Sequence, residues 1–132
     1  MPLTKKKQRE LVLQTLFATT CVPLDESFVA FLMDMHKITK KQAHGVETQV
    51  SAIQKKQTII ETLIQKSVKG YALKRITKIE LCILQLLMYE ILEEKLDFAI
   101  AVSEGLRLCK KYSNPESMPF VHAILDAIKA YV

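Results

Sequence analysis

The run IELCILQLLMYEIL, residues 79–92, constrains this chain more than any other stretch. Wound at about 3.6 residues per turn, its Ile79, Leu81, Cys82, Ile83, Leu84, Leu86, Leu87, Met88 and Ile91 point in every direction. A helix that is apolar all round is buried on all sides rather than laid on a surface. The run is short and includes Glu80 and Gln85, with Glu93 and Glu94 just after it, so it is too short and too polar to cross a bilayer. It is therefore expected as the central helix of a helical bundle, with the other helices packed against it.

A chain of 132 residues is one domain with room for a real core. Its 49% hydrophobic and 25% charged residues exclude a disordered chain. Three glycines and four prolines leave few turns for an all-β fold, and no period-two alternation is sustained. The basic N-terminus is not followed by an apolar segment and a small-residue cleavage site, so the expectation is a cytoplasmic protein. Cys21, Cys82 and Cys109 are odd in number and widely spaced, each in apolar surroundings. They are expected as buried reduced thiols, not as a disulfide framework or a metal site.

Thr4 is placed to cap a first helix over about Lys5–Thr19, whose Val12, Leu13, Leu16 and Phe17 share one face. Lys5 and Arg9 continue that line toward the N-terminus, while Lys6 and Lys7 fan out sideways. Cations there oppose the helix dipole at about 0.3–1 kcal/mol each, which suggests a use. Solubility is the plainer alternative. Cys21-Val22-Pro23-Leu24 breaks this helix, and Asp25 or Ser27 begins the next, with Phe28, Phe31, Leu32 and Met35 on its apolar face. Thr39 then caps a long helix expected from about Lys40 to Val68, striped by Val46, Val50, Ile53, Ile60 and Ile64 and interrupted at Gln57.

Gly70 stops that helix as a C-cap does. Thr77 with Glu80 three residues on has capping-box spacing for the central helix. Asp97 caps a fifth helix with Phe98, Ala101, Val102, Leu106, Cys109 and Tyr112 on its buried face. Asn114 or Ser117 caps the last, whose face is Phe120, Val121, Ile124, Leu125 and Ile128. The fold class is all-α: a compact bundle of about six to seven helices.

Charge is unevenly placed. Residues 1–78 hold 14 Lys and Arg against 6 Asp and Glu, and residues 79–132 hold 5 against 8. A basic first half suits a polyanion partner, although lysines that only solvate a small bundle give the same composition.

Catalytic chemistry is not legible. His36, His44 and His122 have no second ligand at zinc spacing, and no glycine-rich phosphate loop or nucleophile elbow is present. Glu90, near the end of an apolar helix, reads either as a catalytic carboxylate or as a structurally bonded helix-end residue. No catalytic residue, cofactor or metal site is assigned, and the chain is not expected to be an enzyme.

Four stretches carry a family resemblance: KKKQRELVLQTLF, LKRITKIELCILQLLMYEI, AIAVSEGLRLCKKYS and PESMPFVHAILDAI. In order and spacing they resemble the NusB family of bacterial transcription antitermination factors. The resemblance implies an all-helical pair of three-helix sub-bundles, roughly 1–69 and 70–132, split near Gly70. It also implies binding of a short single-stranded RNA element, boxA, together with a small-subunit ribosomal protein, NusE. That complex acts on elongating RNA polymerase, chiefly on ribosomal RNA operons.

Carried onto this chain, the resemblance makes Lys5, Lys6, Lys7 and Arg9 RNA contacts and places Tyr112 and Glu116 in a loop beside the RNA path. Phe17 falls at the family's aromatic position. Glu80 falls at an acidic position on the side facing the ribosomal protein. The chain departs from the family in using lysines for most arginines of the first run, which keep charge but lose the bidentate fork. It departs again in Ser103 for Asn and in His122-Ala123 for Asn-Gly. Four phosphate contacts at about 0.7 each give a log–log salt slope near −3. The alternatives are a NusB-like RNA-binding domain of the kind found on ribosomal RNA methyltransferases, or a helical interaction module without RNA specificity. A monomer or weak homodimer is expected.

Overall fold

The computed structural model describes residues 2–25, 27–67 and 76–131. Among them are seven α-helices: α1 (Lys5–Ala18), α2 (Ser27–His36), α3 (Lys40–Lys55), α4 (Gln57–Ser67), α5 (Lys78–Glu94), α6 (Phe98–Tyr112) and α7 (Ser117–Ile128). A short 3-10 turn, Lys129–Tyr131, follows. Packing divides the chain into two compact units, Met1–Gln54 and Lys55–Val132.

In the first unit, α1 starts where the Thr4 hydroxyl accepts from the Lys7 backbone N–H at 3.1 Å. Burial then takes in Arg9, Glu10, Leu11, Val12, Leu13, Thr15 and Leu16, so α1 is enclosed on nearly every side, not along one face. The Thr15 hydroxyl donates back to the Leu11 carbonyl at 2.8 Å, which satisfies it inside the core. The Gln8 amide donates to Gln49 at 2.9 Å and ties α1 to α3.

The Asp25 carboxylate accepts from the Ser27 N–H and hydroxyl at 3.0 and 2.6 Å and opens α2. Those bonds hold its pKa below the usual carboxylate value. Lys37 takes the left-handed conformation at φ 54° and ends the helix, with the Ile38 N–H reaching back to the Met33 carbonyl at 3.3 Å. Thr39 and Gln42 then exchange side-chain and backbone bonds of 3.1 and 2.9 Å, a capping box for α3. Along α3 the buried residues are Ala43, Val46, Val50 and Ile53.

The long helix expected from Lys40 to Val68 is two helices, parted by a turn at Lys56. Residues 54–59 are all exposed, so the stretch between Ile53 and Ile60 has no burial to hold one helix through it. Gly70, Val68 and the segment to residue 75 lie outside the described residues.

In the second unit, α5 meets the expectation of a helix enclosed on all sides: every residue from Cys82 to Met88 is buried. Helices α4, α6 and α7 all pack against it. Thr77 and Glu80 form its capping box. It closes on Lys95, left-handed at φ 57°, with the Leu96 N–H bonded to the Glu90 carbonyl at 3.0 Å. Polar groups inside are matched. The buried Gln85 amide donates to Glu61 on α4 at 3.4 Å, while on the surface Lys56 faces Glu93 at 3.4 Å.

Asp97 caps α6 by accepting from the Ala99 N–H at 3.0 Å. The buried face of α6 is Ala101, Glu104, Gly105, Leu108 and Cys109. The expected Phe98, Val102, Leu106 and Tyr112 are only half-buried, so the helix is turned relative to expectation. Two features explain the turn. Gly105 lets α6 approach closely, since a Cβ there would stand 3.0 Å from Leu125 and 3.1 Å from Leu87. The buried Glu104 carboxylate is clasped by Arg107 through Nε at 2.6 Å and a second nitrogen at 3.1 Å.

Neither Asn114 nor Ser117 caps α7 with its side chain; Glu116 holds the N-cap position and makes no side-chain cap bond. A tight turn does that work, with the Ser117 and Met118 N–H groups on the carbonyls of Asn114 and Pro115.

Candidate nucleic-acid interface

Lys5, Lys6 and Lys7 are exposed on the opening turn of α1. Three consecutive residues spread over roughly 200° of a helix, so the strip is a cationic collar, not a single line. Partial positive charge at the helix N-terminus adds to it, and both favour an anion. Arg9 does not share this setting. It is 6% exposed, beside Glu10 at 8%, because α1 has already entered the core. Lys5, Lys6, Arg9 and Glu10 each interact with a neighbouring group.

Burial, and then the charge of Lys7, push the His36 imidazole below its ordinary pKa of 6.5. The influence of Lys7 on His36 was not legible in the sequence, where the two stand on different helices.

Phe17, in the last turn of α1, is 39% exposed although its neighbours Thr15 and Leu16 are buried. An aromatic ring open to solvent beside a core helix is available to a partner. Among the described residues of this unit, Val22, Phe31 and Met35 are the other exposed large apolar side chains. Phe31 and Met35 had been expected on a buried face, yet Leu32 is the only buried residue of α2.

In the second unit, Tyr112 ends α6 half-buried and Glu116 stands exposed at the start of α7, so one short loop brings them together. The Lys111 ammonium lies 5.6 Å from the centroid of the Tyr112 ring, a cation–π arrangement. Lys110 and Lys111 thus put two cations next to this aromatic. Sequence reasoning passed over them, although a Lys-Lys-Tyr end to a helix is a visible signal. Glu80 is buried at 7% exposure, and its Oε1 accepts from both the Thr77 N–H and the Thr77 hydroxyl at 2.9 Å.

The remaining reactive groups do not converge. Cys82 and Cys109 are buried and their thiols are pushed up to about 11 by burial, with Glu80 adding to the shift of Cys109. Cys21, expected inside, is exposed, because the chain after α1 runs over the surface toward Pro23. Among the described residues no group of three His, Cys, Asp or Glu could hold a metal ion. Among them no helix is long and apolar enough to cross a membrane.

The pattern of the NusB family matches residues 6–130, almost the whole chain. The chain belongs to the NusB family. A transcription antitermination protein NusB of Methylacidiphilum infernorum is 34% identical to it, over 96% of this chain and 90% of that protein. The NusB protein of Ruminiclostridium cellulolyticum is 26% identical, over 94% and 87% of the two chains. A solved structure of T. maritima NusB superposes with a TM-score of 0.81 at 25% identity, covering 98% of this chain and 93% of that one. The all-α fold, with the enclosed helix α5 at the centre of its second unit, is thus the fold of this family.

Proposed function

We propose that this chain is an antitermination factor that binds a boxA-type single-stranded RNA together with the small-subunit ribosomal protein NusE, and so sustains transcription of ribosomal RNA operons. The observation that carries the proposal is the exposed collar of Lys5, Lys6 and Lys7 on a helix whose next turns are locked in a core. Single strands are held by cations that track phosphates and by aromatic groups that stack on bases. The lysines serve the first task. Tyr112 serves the second, with Lys110, Lys111 and Glu116 at its edge. On the protein side, Phe17 offers an apolar anchor and Glu80 a carboxylate to NusE.

The proposed role is binding, not catalysis, and needs no cofactor or metal. A helical scaffold presents an RNA to a ribosomal protein and to the elongating polymerase complex in the cytoplasm. The test is a binding assay with a boxA-like strand and a scrambled strand of the same composition, each with and without the ribosomal protein. The expected result is tighter binding of the boxA-like strand, strengthened by the ribosomal protein. Equal affinity for both strands in both conditions would reduce the chain to a nonspecific basic surface.

A further inference from the structure

The turn between α2 and α3 carries a second cluster of cations. Lys37, Lys40 and Lys41 are all exposed, while Ile38 among them is buried and pins the turn to the core. Their backbone is fixed. Lys37 stands in the left-handed conformation that ends α2, and the Thr39–Gln42 capping box holds the first turn of α3, where Lys40 and Lys41 lie. No acid occupies that first turn. Of the acids on the flanking helices, Asp34 is exposed on α2, and Glu47 lies 3.4 Å from His44 on α3. Among the described residues no carboxylate is ion-paired with Lys37, Lys40 or Lys41. This corner of the first unit therefore presents net positive charge, as the lysine collar of α1 does.

Collar and corner are held at a set separation. Gln8, next to Lys7, donates to Gln49 at 2.9 Å, and Lys40 lies on the same α3 about 14 Å along the axis from Gln49 at 1.5 Å per residue. The two clusters thus stand on the order of 20 Å apart, a gap that a few nucleotides bridge. The charge of Lys7 also reaches His36, the residue before Lys37, so no insulating element separates the two. From Lys37 to Lys41 nothing apolar is exposed, and the corner lacks the apolar centre of a protein interface. It has no aromatic ring on which a base could stack. Lysines in such a setting suit phosphates, whatever the bases they carry.

We propose that the α2–α3 corner is a second phosphate-binding patch, at which Lys37, Lys40 and Lys41 hold the part of an RNA strand that runs on beyond the element bound at the α1 collar. This rests on the reading of the collar as an RNA site. It extends the cations offered by the first unit from three to six and makes the flank of the boxA-type element a source of affinity. Charge alone holds the flank, so its sequence is indifferent.

The experiment measures binding of the full chain to a short boxA-type strand and to the same strand lengthened by about eight nucleotides at its 5′ or its 3′ end. One extension only should tighten binding, because the corner lies to one side of the collar. For that strand the log–log salt slope should steepen from about −2 for three lysines to about −4 for six, at roughly 0.7 per contact. Its advantage over the short strand should shrink about twentyfold between about 50 and 200 mM salt. Combining Lys37→Asn, Lys40→Gln and Lys41→Gln should remove that advantage and leave the short strand's affinity and the circular dichroism spectrum unchanged; asparagine tolerates the left-handed conformation at the first position. The proposal is overturned if neither extension tightens binding, if both do so equally, or if the triple variant keeps the advantage. Binding of an oligo-glutamate peptide at the corner, with no gain from either extension, would assign it to an acidic protein instead. Preference for boxA over a scrambled strand is read on short strands alone, so failure of the collar reading and failure of the corner are distinguishable.

Discussion

The Thr77 hydroxyl accepts from the Glu80 backbone N–H at 3.2 Å, and the Glu80 carboxylate accepts in return from the Thr77 N–H at 2.9 Å. A residue proposed to face the ribosomal protein is thus also the lock on the first turn of the central helix. The two roles separate by mutation. Thr77→Ala removes the cap and should cost about 1 kcal/mol, read as a lower urea midpoint, while partner affinity stays unchanged. Glu80→Ala should lower the midpoint similarly and weaken the partner as well. Equal partner affinity in both variants would confine Glu80 to the cap.

Gly105 sits where α6 comes closest to α5 and α7. Alanine is the better helix former by about 1 kcal/mol, but its Cβ would press on the ends of Leu125 and Leu87 at 3.0 and 3.1 Å. These are the tips of flexible side chains, so the two effects should nearly cancel and Gly105→Ala should stay within about 1 kcal/mol of the parent. Gly105→Val has no such room. It should lose about 2–3 kcal/mol in denaturant unfolding while the chain remains helical.

The three thiols should divide by exposure. Cys82 and Cys109 are buried, with thiols pushed up to about 11, and only the thiolate reacts. In the folded protein at pH 8, a chromogenic disulfide reagent should titrate Cys21 rapidly and the other two only on unfolding. Fast release of all three thiols without denaturant would mean that the second unit opens readily.

His36 supplies a pH dependence of known sign. Its pKa in the folded chain lies below the ordinary 6.5, chiefly from burial and then from Lys7. The unfolded chain therefore binds the proton more readily. Stability from this site is complete above pH 6.5 and is lost as the pH falls through that value toward the folded pKa. The proton signals of the His36 ring should titrate with a midpoint below 6.5. Lys7→Ala should raise that midpoint part of the way, since burial remains, and His36→Gln should flatten the acid limb of the stability profile.

The elements that the sequence announced share a physical trait: their signals are local. The enclosed helix α5 follows from apolar residues in every direction, and its cap from Thr77 and Glu80 three residues apart. Thr39 and Asp97 were legible for the same reason. What escaped depends on contacts made at a distance. The turn at Lys56 carries neither proline nor glycine and appears only where burial lapses. The rotation of α6 rests on Gly105, which has no side chain to register as apolar, and on a buried Glu104 whose charge Arg107 neutralises. Phe31 and Met35 keep amphipathic spacing, yet both stand exposed. Of the candidate site, the lysine collar was legible because charge at a helix start is plain. The position of Arg9 was not, because its burial is set by what surrounds α1.

That burial changes the expected salt dependence of RNA binding. Four cations would give a log–log slope near −3, but with Arg9 only 6% exposed the collar offers three lysines and a slope of about −2, at roughly 0.7 per phosphate contact. Changing Lys5, Lys6 and Lys7 together to Ala should bring the slope close to zero and leave the helical content intact. Arg9→Ala should behave in the opposite way. It should keep the slope and lower stability by on the order of 2 kcal/mol, because a buried charged group and its surroundings are disturbed. Titration of a boxA-like strand at four or five salt concentrations decides between the cases. A slope of about −3 in the parent that drops by one contact in Arg9→Ala would show that Arg9 leaves the core to meet the RNA. An unchanged slope in the triple lysine variant would move the RNA away from α1, toward Lys110, Lys111 and the Tyr112 ring.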